Sequence, residues 1–225
     1  MSERTQLVIF GTSNILSDII DCALAVGWEI GAIVTHLPED NDERSIPLAQ
    51  RLAALAPHGV RPQVVALDDF VPQPGQQYVL GPTTPTRVNL ADEVQRRFGV
   101  GFATLVHPTA YVSPLAMLGA GCFVGANSVI APGAQLAEQV FVNRAATVGH
   151  DTQVGAYSRI QPGSSVGGLS VLGRGVTVGI GATVIERLRI GDGAFVGAGA
   201  VVLEDVAAYT LVAGVPAKFK KQLPQ

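Results

Sequence analysis

Residues 122–169 divide into sixes without remainder: CFVGAN, SVIAPG, AQLAEQ, VFVNRA, ATVGHD, TQVGAY, SRIQPG, SSVGGL. The third residue of every six is aliphatic, and the register runs outward to Val112 and Val202, sixteen positions with no insertion. Two residues before each, the side chain is usually small (Cys122, Ser128, Ala134, Ala146), and one residue after it Gly recurs (Gly119, Gly125, Gly149, Gly167). A period of six is neither the 3.6 of a helix nor a meander, whose turns come less often. Six residues at about 3.3 Å each make one flat side of about 20 Å. Three sides close a coil, and stacked coils set like positions above one another. The pattern predicts a hexapeptide parallel β-helix of about five coils from 107 to 225. Aliphatic residues fill its axis, small ones lie near tight corners, and the recurring Gly supplies unusual backbone angles.

The residues before the repeat have another character. QLVIF (6–10) is a short apolar run, followed by Gly11-Thr12-Ser13-Asn14 and a helix-like segment closed by Gly27, then the apolar strand WEIGAIVT. Strand, glycine turn, helix, strand opens a Rossmann-like α/β unit, whose turn can hold a phosphate where helix N–H groups converge. With one glycine rather than three, a plain strand-to-helix connection stands equally open. LPEDNDER (37–44) reads as an acidic surface loop. A helix is predicted over 46–56, strands over 63–67 and 76–81, a helix over 89–98, and a last short strand in GFATLV (101–106). The first domain therefore spans 1–106.

Bulk composition excludes several functions. Fifteen Lys and Arg stand against eighteen Asp and Glu, a net charge of −3, and the one basic cluster is Lys218, Lys220 and Lys221. Nucleic acid is not an expected partner. No segment approaches the roughly 20 apolar residues of a membrane span and no signal-peptide run opens the chain, so a cytoplasmic location is expected. Cys22 and Cys122 make no disulfide framework and read as packed thiols. A β-helix zinc site needs three converging histidines; the repeat holds only His150, so no metal is expected.

That scarcity makes His150 conspicuous. Asp151 is beside it and Asn143 seven residues earlier. A neutral imidazole can take a proton from a nucleophile near pH 7, and a carboxylate can orient it. Neighbours on a strand point apart, but at a coil corner they could meet.

The runs LVHPTAYVSP, VNRAATVGHD, IQPGSSVGG, VGIGATVI, IGDGAFVGAGAVV and AGVPAK resemble the bacterial nucleotide-sugar and sialic-acid acetyltransferases, over essentially the whole chain. That family includes the bacillosamine-pathway and perosamine N-acetyltransferases and the sialic acid O-acetyltransferase. The resemblance implies a Rossmann-like domain that binds the substrate's nucleotide, and a left-handed β-helix that forms homotrimers with active sites between subunits. It implies acetyl-CoA as co-substrate and a nucleotide-linked amino sugar as acceptor. His150 matches the family's catalytic base, Asp151 its orienting acid, Asn143 an asparagine near the acceptor amine, and Gly168 the glycine whose N–H faces the acetyl carbonyl. Acetyl-CoA would touch Gly179, Ile180, Gly181 and Ala182, with Val215, Pro216, Ala217 and Lys218 near its adenine and phosphates. The GVPAK tail could equally just cap the last coil.

The chain departs from the family at three places. Gly11-Thr12-Ser13-Asn14 replaces a glycine cluster followed by His; Gly81-Pro82-Thr83-Thr84 precedes Arg87 where a Gly-Asp-Asn turn is usual; Arg159 takes the place of a second histidine and could meet a phosphate or carboxylate. Two alternatives to amino-sugar N-acetylation follow: O-acetylation of a sialic acid or other sugar, and a non-catalytic trimeric scaffold that senses a nucleotide.

Overall fold

The computed structural model describes residues 5–38 and 45–224. Most of the acidic run expected as a surface loop lies outside them. The chain divides into two compact units, Met1–Ala103 and Thr104–Gln225.

In the first unit four parallel strands, β1 (Gln6–Phe10), β2 (Glu29–Thr35), β3 (Gln63–Ala66) and β4 (Gln76–Leu80), lie in the order β3-β2-β1-β4. Between and after them come helices α1 (Leu16–Ala25), α2 (Leu48–Leu55) and α3 (Val88–Phe98). Leu7 to Phe10 of the central β1 are fully buried, so its sequence is an unbroken apolar run rather than an alternation. α1 buries Leu16, Ile19, Ile20 and Ala23, and α3 buries Leu90, Ala91 and Val94, each set one face at helical spacing. α1 ends as its glycine predicts. Gly27 takes φ 80°, its N–H donates to the Leu24 carbonyl at 3.0 Å, and the Trp28 N–H donates to that of Ala23 at 2.9 Å, which satisfies the last-turn carbonyls. Both cysteines are free and buried. Burial, with the charge of Asp21 adding to it, pushes the Cys22 thiol up to about 12, so it is inert to thiol reagents near neutral pH.

GFATLV does not close this unit with a strand. Leu105–Val106 pairs in parallel with Phe123–Val124, as the first rung of the second unit. Val106 stands six residues before Val112, so the hexad register starts one step earlier than its sixteen regular positions suggest.

The second unit is a three-sided parallel prism. Its strands, mostly two residues long, form sheets of five, eight and six strands. Each pairs with the strand eighteen residues on, as Phe123–Val124 does with Phe141–Val142 and that with Arg159–Ile160. The aliphatic positions stack along the axis: Val124, Val142, Ile160, Val178 and Val196 on one side, Ile130, Val148, Val166, Val184 and Val202 on the next, Leu136, Val154, Leu172 and Ile190 on the third, all buried. The last coil is shorter, Leu211–Val212 pairing with Phe195–Val196 sixteen residues back. Thr210–Ala213 then pairs antiparallel with Lys218–Gln222, and the Ala217 N–H donates to the Val201 carbonyl at 2.7 Å. The GVPAK segment is thus the turn of a hairpin fastened to the end of the prism.

The corners correct the expectation for the recurring Gly. Left-handed backbone falls two residues later, at Gly133 (φ 73°), Ala145 (54°), Asp151 (56°), Gly163 (65°) and their equivalents. The recurring Gly is there because adjacent coils nearly touch: a Cβ on Gly125 would come within 2.8 Å of the Arg144 nitrogen. Two glycines should therefore respond differently. Gly125→Ala is expected to cost about 1–3 kcal/mol by overpacking and to lower Tm. Gly163→Asn, with open space around its Cβ position and Ala145 already left-handed one coil below, should leave Tm nearly unchanged, since Asn tolerates that backbone. Thermal unfolding followed by circular dichroism compares them.

Candidate active site

His150 follows the strand Thr147–Val148, and Asp151 occupies the corner. The positive φ of Asp151 turns its side chain back toward its neighbour, so two residues that would diverge on a strand meet: His150 Nδ1 lies 2.9 Å from Asp151 Oδ2. The two side chains are 60% and 59% exposed. The coils above and below leave them room. A Cβ on Gly168, one coil above, would stand 2.6 Å from His150 Nε2, and one on Gly133, one coil below, would run into the Asp151 carboxylate. Gly133 was not singled out in the sequence, although its place eighteen residues before Asp151 is legible there. The inter-coil hydrogen bonds run from the Gly167 N–H to the Val184 carbonyl and from the Leu169 N–H to that of His150, both at 2.8 Å. They pass over the Gly168 N–H between them.

Asn143 and Arg159 belong to another side of the prism. Asn143, buried, donates from Nδ2 to Gln161 Oε1 at 3.3 Å and accepts the Arg144 N–H on Oδ1 at 2.8 Å. Gln161, directly above it, was not anticipated. Arg159 stacks in register on Phe141 and donates from Nε to Thr177 Oγ1 at 2.9 Å; burial lowers its pKa from the usual guanidinium value. Gly179 to Ala182 continue the Asn143 corner, with Ile180 60% exposed and Ala182 buried. That corner and the His150 corner are one prism side apart, about 20 Å, so a single chain does not bring Asn143 and His150 together. Val215 to Lys218 lie at the terminal hairpin turn, where Lys218 Nζ is 3.6 Å from Glu204.

In the first unit, two adjoining cavities of about 340 and 510 Å³ lie at the carboxyl ends of β1, β2 and β4, and both are lined by Thr12, Ser13, His36 and Leu37. Asn14 edges the smaller, Thr83, Thr84 and Arg87 the larger. Ser13 Oγ donates to the Gly81 carbonyl at 2.8 Å, and Gly81 lies so close to the Gly11 carbonyl that a Cβ there would overlap it. The Gly11–Asn14 turn is thereby tied to the loop after β4. Arg87 is buried, its Nη1 donating to the Thr83 and Thr84 carbonyls at 2.6 and 3.1 Å. Its guanidinium braces the Gly81–Thr84 turn. His36, which composition and motifs did not mark, has a buried Nδ1 without a hydrogen-bond partner. Among the described residues no group of three His, Cys, Asp or Glu is placed to hold a metal, and no helix is long and apolar enough to cross a membrane.

No family model and no curated protein matches the chain. Solved structures do. The acetyltransferase domain of PglB from Neisseria gonorrhoeae is 28% identical, with 96% of this chain and 100% of that one covered and a TM-score of 0.79. PerB from Caulobacter crescentus, in complex with CoA and GDP-perosamine, is 28% identical over 96% of this chain and 97% of its own, with a TM-score of 0.67. These structural neighbours are sugar N-acetyltransferases of the hexapeptide-repeat family, and the chain is similar to them over nearly its whole length. WeeI from Acinetobacter baumannii, 19% identical with a TM-score of 0.79 over 96% of this chain and 100% of that one, shares the fold. In this acetyltransferase His150 and Asp151 pair at an exposed corner of the prism, and the PglB domain has also been solved with acetyl coenzyme A.

Proposed function

We propose that the chain transfers the acetyl group of acetyl-CoA to the amine of a nucleotide-linked amino sugar, with His150 as general base. The observation that carries this is the 2.9 Å contact of His150 Nδ1 with Asp151. A ring that donates Nδ1–H to the carboxylate keeps the Nε2 lone pair as its acceptor. As the amine attacks the thioester carbonyl, Nε2 takes its proton. The Gly168 N–H, passed over by the inter-coil bonds, is a donor for the developing oxyanion. Collapse of the tetrahedral adduct expels CoA thiolate, to which the imidazolium returns a proton, so no covalent enzyme intermediate is needed.

The separation of the Asn143 and Gly179 corner from the His150 corner supports a site assembled from neighbouring copies. In a homotrimer of left-handed β-helices, acetyl-CoA would lie along Gly179–Ala182 of one copy and reach His150 of another. The strand order β3-β2-β1-β4 is that of the first four strands of a doubly wound nucleotide-binding sheet, and the cavities sit where such sheets hold ligands. This supports a Rossmann-like role for the first unit, with Gly11–Asn14 bordering the nucleotide. Arg159, held by Thr177, is assigned to a phosphate or carboxylate of the substrate, and Val215–Lys218 to the nucleotide end of CoA. The reaction is placed in the cytoplasm, where acetyl-CoA and nucleotide sugars are made.

The test is CoA release, by thiol titration, with acetyl-CoA and UDP-, GDP- and dTDP-linked amino sugars and free sialic acid. The buried protein thiols keep the background low. Turnover on one nucleotide-linked amino sugar is the expected result; turnover on sialic acid alone would replace N- with O-acetylation, and no acetyl-CoA binding would leave a scaffold.

A further inference from the structure

We infer that His36 is the residue that reads the nucleoside portion of the bound nucleotide, pairing through Nδ1 with a ribose hydroxyl or a polar edge of the base; this deepens the acceptor assignment above and rests on it. The buried Nδ1 has no hydrogen-bond partner among the described residues, and such atoms are rare in folded chains unless a ligand or water completes them. The ring stands at the end of β2 and lines both cavities, one bounded also by the loop after β4. That is the crevice outside the carboxyl strand ends, where ligands of parallel sheets bind. Gly11 leaves the ring its space: a Cβ there would lie 2.9 Å from His36 Cε1.

Three neighbouring polar side chains have other engagements. Ser13 Oγ donates to the Gly81 carbonyl, Arg87 to the Thr83 and Thr84 carbonyls, and Arg51 to Ser17 Oγ and the Ile46 carbonyl. Among the described residues, the charged groups bordering the cavities are Glu93 from α3, Arg87 after β4 and Arg51 from α2. Burial lowers the His36 pKa and outweighs the opposing charge of Glu93, so the ring is neutral near pH 7. A neutral imidazole offers one donor and one acceptor, which suits hydroxyl, N–H and carbonyl groups of a nucleoside rather than phosphate.

The experiment is isothermal titration of the full chain with UDP, GDP, dTDP and inorganic pyrophosphate, for the wild type, His36→Phe and His36→Asn, with Tm of each unliganded protein. Phe keeps the ring volume without nitrogens; Asn restores a polar atom near Nδ1. Whichever nucleotide binds the wild type is expected to lose about tenfold in affinity in His36→Phe, one well-placed hydrogen bond, and to regain most of it in His36→Asn. Pyrophosphate affinity and the KM for acetyl-CoA should not move. Unliganded His36→Phe should melt no lower than wild type, because no buried polar atom is left stranded. Equal nucleotide affinity in wild type and His36→Phe overturns the inference, as does a lowered Tm with no rescue by Asn, which marks a packing residue. If none of the three nucleotides binds the wild type, the nucleotide-linked acceptor itself is overturned, and the first titration reads that before any variant is made.

Discussion

His150→Ala is expected to reduce kcat by about 10²–10⁴-fold, the range a positioned general base contributes, while the fold stays intact. The side chain is 60% exposed and its partner is Asp151, so the substitution strands nothing in the axial core. Tm should stay within a degree or two and the KM for acetyl-CoA should change little, because a base at His150 would act on the acceptor's proton. Asp151→Asn keeps the corner, since Asn tolerates left-handed backbone, but removes the charge that steadies the imidazolium; kcat is expected to fall at least about tenfold. Steady-state kinetics on the acceptor identified by CoA release decides. A His150→Ala enzyme within threefold of wild type would remove His150 from the mechanism and leave the repeat without a base.

Gly168→Ala should be nearly as damaging, by a different route. The new methyl would occupy the space of the imidazole, 2.6 Å from Nε2 and 2.7 Å from Cδ2, so the ring must leave its contact with Asp151 or the coils must separate. Displacing a catalytic group by about 1 Å can cost about 10²-fold, and kcat should fall by that order. Gly168→Ala keeps its own N–H, so the loss would report on His150 rather than on the oxyanion donor. A double mutant separates the two routes. Once His150 is Ala the three atoms nearest the new methyl are gone, and adding Gly168→Ala should cost little more. Fully additive losses would mean that Gly168 acts independently of the imidazole, and the clearance between coils would not be what the glycine provides.

Much of the β-helix was legible because its determinants repeat locally. Every sixth side chain from Val112 to Val202 meets the same environment, and coils of eighteen put Val124 on Val142 on Ile160 by arithmetic. His150 stood out by chemical contrast, and its contact with Asp151 was foreseeable as a corner possibility. Other features were not legible. The sequence pattern points to backbone angle for the recurring Gly, but close approach of the next coil demands it, because sequence does not reveal how tightly coils stack. The left-handed corners are often ordinary L-residues, Asp151 and Ala145 among them. Nothing in their identity announces that conformation.

By itself, then, the sequence determined the period, the axial core, the division into an α/β part and a repeat, and the residue that could carry a proton. Tertiary structure alone decided which residues serve that group. Gly168 and Gly133 clear space for His150 and Asp151 because stacking places them one coil above and below, whereas Asn143, only seven residues away, is carried to a different corner. His36 shows the same limit in the first unit. Its unpaired Nδ1 arises from loops after β1, β2 and β4 meeting around residues 11, 36 and 82. A pattern read along the chain records neighbours at a fixed spacing; it does not record which distant loops exclude water from one atom.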